Sequence, residues 1–310
     1  MFLRGTFRIV LNVHSLNTEG AVGNYNPLVK VFTAVRVGDK WDIIEANAVS
    51  GNMLKHWHAK HLAEIAKSKN MPLCDDCKRG VFFRTRLKVN SEDELIKKCV
   101  IDDIHGFLST ETTVKRESLF KVSFAVPVEE IGAKIVSVTH NRVVTEESGK
   151  IAKDGMMPFK NEYASGIYAF AVAFDAKYTG IPLANPSNKA IDDAQRKERV
   201  KIAIAALGNM LQGEMGAKMS RALPISKTIQ SIVVVSKVPV PAPTHAYFKD
   251  YAQETIKSYE HMVESGLVNK DDIEIHVYGL DVSSDKVNVV KHSTIQELIA
   301  DVAKAADRWL

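Results

Sequence analysis

The sequence predicts an α+β fold, and three observations carry that expectation. An alternating strand opens the chain, a long helix with one apolar face follows, and a second long helix leads into an apolar run near residue 230. In the first strand, Thr6–Val13, Phe7, Ile9, Leu11 and Val13 alternate with Thr6, Arg8, Val10 and Asn12. It runs into a loop of glycine and small polar residues from Ser15 to Asn24, and further strands are expected at Val29–Val37 and Trp41–Ala46.

A helix is expected from Ser50 to about Ser68, with Ser50 as its N-cap. Leu54, Trp57, His58, His61, Leu62 and Ile65 share one face, while Asn52, His56, Lys60 and Lys67 share the other. Ser91 and Glu94 form the pattern of a capping box for a second helix that includes Leu95, Ile96 and Val100. Strands follow at Leu119–Val126 and Gly166–Asp175, separated by a long excursion. A helix covers about Asp192 to Gln212 and stops at Gly213. Ile229–Val235 reads as a buried strand. The tail gives a helix at Phe248–Ser265, a strand at Ile273–Tyr278 and a helix at Thr294–Trp309. The order strand, helix, strand, strand, helix, strand is the ferredoxin-like pattern, also used by RNA-recognition modules. One RRM-like domain over residues 1–310 is expected, with insertions at about 15–49, 70–118 and 127–165 and an extension at about 240–310.

Composition narrows the function classes. The apolar and charged fractions are those of a soluble globular chain. No stretch approaches the roughly 18 consecutive apolar residues of a membrane helix, and no secretory signal opens the chain. Three cysteines are too few for a disulfide framework, so a reducing, cytoplasmic location is expected. A net charge of +4 suits a protein that meets nucleic acid along one groove and protein elsewhere. No Ser-His-Asp or Cys-His signature, Walker loop or paired acidic metal motif occurs, so no enzyme is expected. Nothing reads as a helix-turn-helix either, which argues against a transcription factor.

Six segments then appear in a telling order. They are Asn12-Val13-His14-Ser15-Leu16-Asn17; Ser50-Gly51-Asn52-Met53-Leu54-Lys55-His56; Asp103-Ile104-His105-Gly106-Phe107-Leu108 with Lys115-Arg116-Glu117-Ser118; His140-Asn141-Arg142; Tyr163-Ala164-Ser165-Gly166-Ile167-Tyr168; and Gly213–Pro224. Together they resemble the backbone subunit of type I CRISPR Cascade complexes of the archaeal I-A branch, the DevR-family CRISPR-associated autoregulators. The resemblance implies a ferredoxin-like palm with a β-hairpin thumb. It implies copies stacked along CRISPR RNA in a helical filament, target DNA paired through the guide, and antiviral defence. The implied partners are the small, large and five-type subunits and a helicase-nuclease, with no cofactor and no membrane.

Within those segments the candidate RNA contacts are Asn12, Ser15, Asn17, Ser50, Gly51, Asn52, Lys55, His56, Arg116, His140, Arg142, Met157, Gly213, Gly216, Lys218, Ser220 and Arg221. A Ser-Gly helix start offers main-chain N–H groups to a phosphate, although most such starts are ordinary caps. Gly213 and Gly216, three apart beyond a helix, could form an N–H cradle beside Lys218 and Arg221. Their alternative is a helix stop and turn. Met157 in the thumb, with Met156 second, could wedge between bases or pack the hairpin on a neighbour. Lys78, Arg79, Arg84, Arg86 and Lys88 surround Phe82 and Phe83, a combination that suits stacking or merely a solvated face.

His58 and His61 read as core histidines. With Cys74 and Cys77 they could instead make a tetrahedral zinc site, a weaker alternative. The enzymatic alternative is a histidine-based endoribonuclease acting on CRISPR RNA, with His56 or His140 as base.

Overall fold

The computed structural model describes residues 1–83 and 88–310, and the side chains of these except 142–145 and 151–157. Its first element, β1 (Phe2–His14), becomes the inner strand of the main sheet. After β2 (Tyr25–Asn26), the hairpin β3 (Lys30–Val37) and β4 (Lys40–Asn47) stands apart as its own two-stranded sheet. The helix α1 (Gly51–Ser68) follows, then three short helices: α2 (Asp75–Lys78), α3 (Glu92–Lys98) and α4 (Val100–His105). Four short strands come next: β5 (Phe107–Leu108), β6 (Lys115–Arg116), β7 (Phe120–Val122) and β8 (Val126–Pro127). The long hairpin is β9 (Ala133–Thr145) and β10 (Ile151–Phe174). The chain ends with α5 (Asp193–Met210), β11 (Ile225–Ser236), α6 (Tyr251–Glu264), β12 (Ile273–Tyr278), β13 (Asn288–His292) and α7 (Ile295–Trp309).

In the main sheet β1 lies between β10 and β11, antiparallel to both. The outer half of β10 pairs with β9, and its inner half pairs with β7 and β8. β12 and β13 extend the other edge. The period of two divides the side chains between two cores. Phe7, Ile9 and Leu11 of β1 and Val233 and Val235 of β11 join Leu54 and Leu62 of α1, Leu207 of α5 and Val302 of α7. Ile232 and Val234 face the other way, onto Tyr251, Ile256 and Tyr259 of α6. The mixed α+β expectation holds, with helices on both faces of one large sheet.

Several boundaries moved for identifiable reasons. The expected helix from Ser91 is broken at Cys99, whose extended φ and ψ end α3 and cap α4. The capping box is also shifted: Ser91 makes no side-chain cap bond, and Glu94 instead accepts from the Asn90 N–H at 3.2 Å. Leu119–Val126 forms two short strands. The parallel edge strand β13 was missed, since Asn288–His292 carries only two apolar residues.

Arg116, expected at the RNA, is in the interior. Its side chain is 0% exposed, as is that of Asp103, and the two pair at 2.8 Å. Arg116 donates further to the carbonyls of Asp103, Tyr178 and Ile181 and lies 3.4 Å from Glu92. Arg199 of α5 reaches the second Asp103 oxygen at 2.8 Å, and the Gly180 N–H donates to both. Asp103 and Arg116 are paired at every polar side-chain atom, as buried charges require, whereas Arg199 is paired through Nη1 alone. Arg116 therefore ties the insertion to the body and has no free face for RNA.

Asp103→Ala strands two guanidinium groups, and the expected cost is about 3–5 kcal/mol. It would be measured as a lower urea midpoint with an unchanged slope.

Candidate nucleic-acid interface

Three of the predicted segments meet at one end of α1. Asn17, half-buried, accepts from the Ser50 hydroxyl at 2.6 Å and from its N–H at 3.3 Å. The Ser50 oxygen in turn accepts from the Met53 N–H at 3.2 Å, as an N-cap should. Ser15 is buried and donates to the Ala217 carbonyl, while the Ala217 N–H donates to Leu16 at 2.7 Å. The Trp57 indole, pointing inward from α1, donates to the Gly216 carbonyl at 2.9 Å. The loop after β1, the start of α1 and the segment after α5 are thus locked together.

Each of the three glycines also serves close packing. A Cβ on Gly51 would lie 2.9 Å from the Val122 carbonyl, so the missing side chain lets α1 approach β7. A Cβ on Gly216 would collide with the His14 ring, and one on Gly213 (φ +99°) with Ser226. The N–H groups of Gly213, Met215 and Ala217 already donate to main-chain carbonyls. Those three N–H groups are therefore spent on internal bonds. What the segment delivers outward is charge.

Lys218, Ser220 and Arg221 follow this anchor. Lys218 donates to Asn161 of β10 at 2.5 Å, which joins the segment to the hairpin. Partial burial, and secondarily Arg221, lower the Lys218 pKa. Ser220 and Arg221 are exposed. Arg221 lines an open cleft of about 610 Å³ with His140, Asn141 and Phe159 of the hairpin. There His140 stacks on Phe159 at 5.3 Å and shares a hydrogen bond with the Tyr163 hydroxyl at 3.2 Å. The backbones of Arg142 and Met157 face each other across the hairpin. Their side chains, and that of Met156, lie outside the described residues.

On α1, Asn52 and His56 are exposed and Lys55 is half-buried. His56 meets the edge of Phe82 at 5.6 Å. Asn12 is half-buried at the end of β1. The basic run offers less free charge than its sequence suggests, because Lys78, Arg79 and Lys88 pair with Asp75, Asp76 and Glu111. Phe82 packs on the core and Phe83 is exposed. Arg84 and Arg86 lie outside the described residues. Sequence reading missed Asn161 and Phe159, and their alternation with Lys160 on an exposed hairpin was the available signal.

The zinc set with histidines does not assemble. His58 Nε2 faces the Ala203 carbonyl at 2.9 Å, so it carries the proton. His58 Nδ1 then accepts from His105 at 2.8 Å, and the ring stacks on Phe120. His61 lies against Trp57, 3.8 Å from Glu214. Both are buried within the body, as core histidines should be.

Among the described residues no helix is long and apolar enough to cross a bilayer. Comparison with known proteins places the chain. The family model for the "CRISPR-associated negative auto-regulator DevR/Csa2" matches residues 5–256, and the chain belongs to that family. A "CRISPR-associated protein Cas7/Cst2/DevR" of Methanocaldococcus jannaschii is 35% identical over 97% of this chain and 99% of its own length. One of Thermoproteus tenax is 32% identical over 98% and 95%. A "CRISPR-associated aCascade subunit Cas7/Csa2 2" of Saccharolobus solfataricus is 26% identical over 82% and 85%. Among solved structures, a chain of a "CRISPR RNA-guided surveillance complex, pre-nicking" shares the fold with a TM-score of 0.54. It is 11% identical, with 99% of this chain and 100% of that one covered.

Burial also sets an acid limit. It lowers the pKa of His14 to about 4 and that of His58 to about 3, from an ordinary 6.5. Both are neutral in the folded chain, whereas the unfolded chain takes up protons below 6.5. Stability is therefore full above about pH 6.5 and falls as pH drops toward 4 and then 3. Thermal midpoints measured from pH 8 to pH 4 are expected to change little from 8 to 7 and to decline below about 6.5.

Proposed function

We propose that this chain is a CRISPR RNA-binding backbone subunit that oligomerises along the guide and presents it for pairing with target DNA. The observation that carries the reading is the cleft where Arg221 faces His140, Asn141 and Phe159, in a member of the DevR/Csa2 family. An arginine fork suits phosphate, and stacked rings beside it suit bases. The order β11, β1, β10, β7 around α1 and α5 supports a ferredoxin-like palm. The β9–β10 hairpin is the thumb in that reading. Copies of the chain, other surveillance-complex subunits and the guide are its partners, in the cytoplasm.

The chain itself is taken to perform no chemistry. His140, one of the two candidate bases, stacks on Phe159 and shares a hydrogen bond with the Tyr163 hydroxyl, and in this reading its ring serves as part of the surface on which RNA bases stack. The function is positioning.

Purified protein titrated onto guide RNAs of increasing length should give a ladder of stoichiometries by gel shift and size measurement. A strict one-to-one complex on long RNA would refute the filament. Binding is expected to weaken linearly in log-log salt plots, with Arg221→Ala lowering the slope by about 0.7. Discrete cleavage of repeat RNA that disappears in His140→Ala would instead establish the ribonuclease.

A further inference from the structure

Away from the cleft, two short segments bring unusual chemistry together. Cys74 caps α2 and Cys77 lies three residues on; Cys99 caps α4 and Asp102 lies three residues on. All four residues are buried, and their sulfur and carboxylate atoms lie within 4.8 Å of one another. The sequence thus repeats one geometric unit: a donor at a helix N-cap and a second donor in the first turn. A main-chain hydrogen bond from Val100 N–H to the Pro72 carbonyl, 3.0 Å, sets the two units side by side.

We propose that Cys74, Cys77, Cys99 and Asp102 bind a structural zinc ion. Zinc takes four ligands tetrahedrally, with Zn–S distances of about 2.3 Å and carboxylate distances of about 2.0–2.2 Å. That geometry sets neighbouring ligand atoms somewhat under 4 Å apart, so the cluster needs only a slight contraction. Three thiolates select a soft or borderline ion over magnesium or calcium, which prefer all-oxygen sites. Packing alone does not call for a carboxylate among three thiols, since Leu73, Val100 and Ile101 already supply the apolar contacts there. Binding releases the thiol protons to solvent, and the cysteines stay reduced. Three thiolates and one carboxylate leave the zinc site with net negative charge, and the exposed Lys97 and Lys98 adjoin Cys99 to offset it.

The ion would join α2 to α4, the helix that also carries Asp103 and His105. It would fix the segment leading from Cys77 to Phe82, whose ring meets His56. This role is independent of whether the chain binds RNA.

Intact protein purified from zinc-supplemented cells without chelator should carry about one zinc per chain by elemental analysis. Replacement by Co²⁺ should give thiolate-to-cobalt charge transfer and the ligand-field bands of a tetrahedral site. Cys99→Ser and Asp102→Asn should retain at least about tenfold less zinc after dialysis against EDTA. His61→Gln should retain the wild-type amount. Less than about 0.1 zinc per chain, with no cobalt–thiolate bands in protein that is folded by circular dichroism, would overturn the proposal. So would a Cys74–Cys77 disulfide found by mass in freshly purified chain. These measurements use the wild-type protein, so they decide the question even where a cysteine variant fails to fold.

Discussion

Asp103 is the residue on which the rest of this structure depends. One carboxylate, inaccessible to water, receives Arg116 from the insertion, Arg199 from α5 and the Gly180 main chain. These groups come from three separate stretches of chain, and no apolar contact would fix their relative orientation as narrowly. Two guanidinium groups on one carboxylate leave a local surplus of positive charge, partly balanced by Glu92 near Arg116. The insertion is held by directed bonds whose loss exposes charge to a dry interior.

That arrangement explains why one residue was misplaced from sequence. Arg116 stands beside Lys115 in a short basic run, and nothing in the run distinguishes the solvated lysine from the buried arginine. The partners of Arg116 lie 13, 62 and 65 positions away, at Asp103, Tyr178 and Ile181. The same holds for Gly213 and Gly216. Paired glycines beyond a helix suggest open main chain, whereas here they make room for Ser226 and His14. Long-range neighbours decide such cases, and periodicity does not contain them.

Local chemistry was legible where local forces dominate. The Ser50 cap, the division of α1 into an inward face with Leu54, Trp57 and His58 and an outward face with Asn52 and His56, and the alternation of β1 all follow from spacing. The cysteines were half legible. Cys74 and Cys77 stand out as a pair, but their companions Cys99 and Asp102 arrive through the docking of α3 and α4. The histidines nearest in sequence point into the body instead.

The hairpin invites a last thought about how this chain can change over evolutionary time. β10 runs unbroken for 24 residues, from the centre of the sheet to the hairpin tip. Side chains on a strand alternate sides, so inserting or deleting one residue within it inverts every position beyond that point. Length variants between Pro158 and Phe174 should therefore occur in even steps, or else beside a compensating bulge of the kind seen between Ile151 and Met156. Parity, more than residue identity, would be the inherited constraint on that strand.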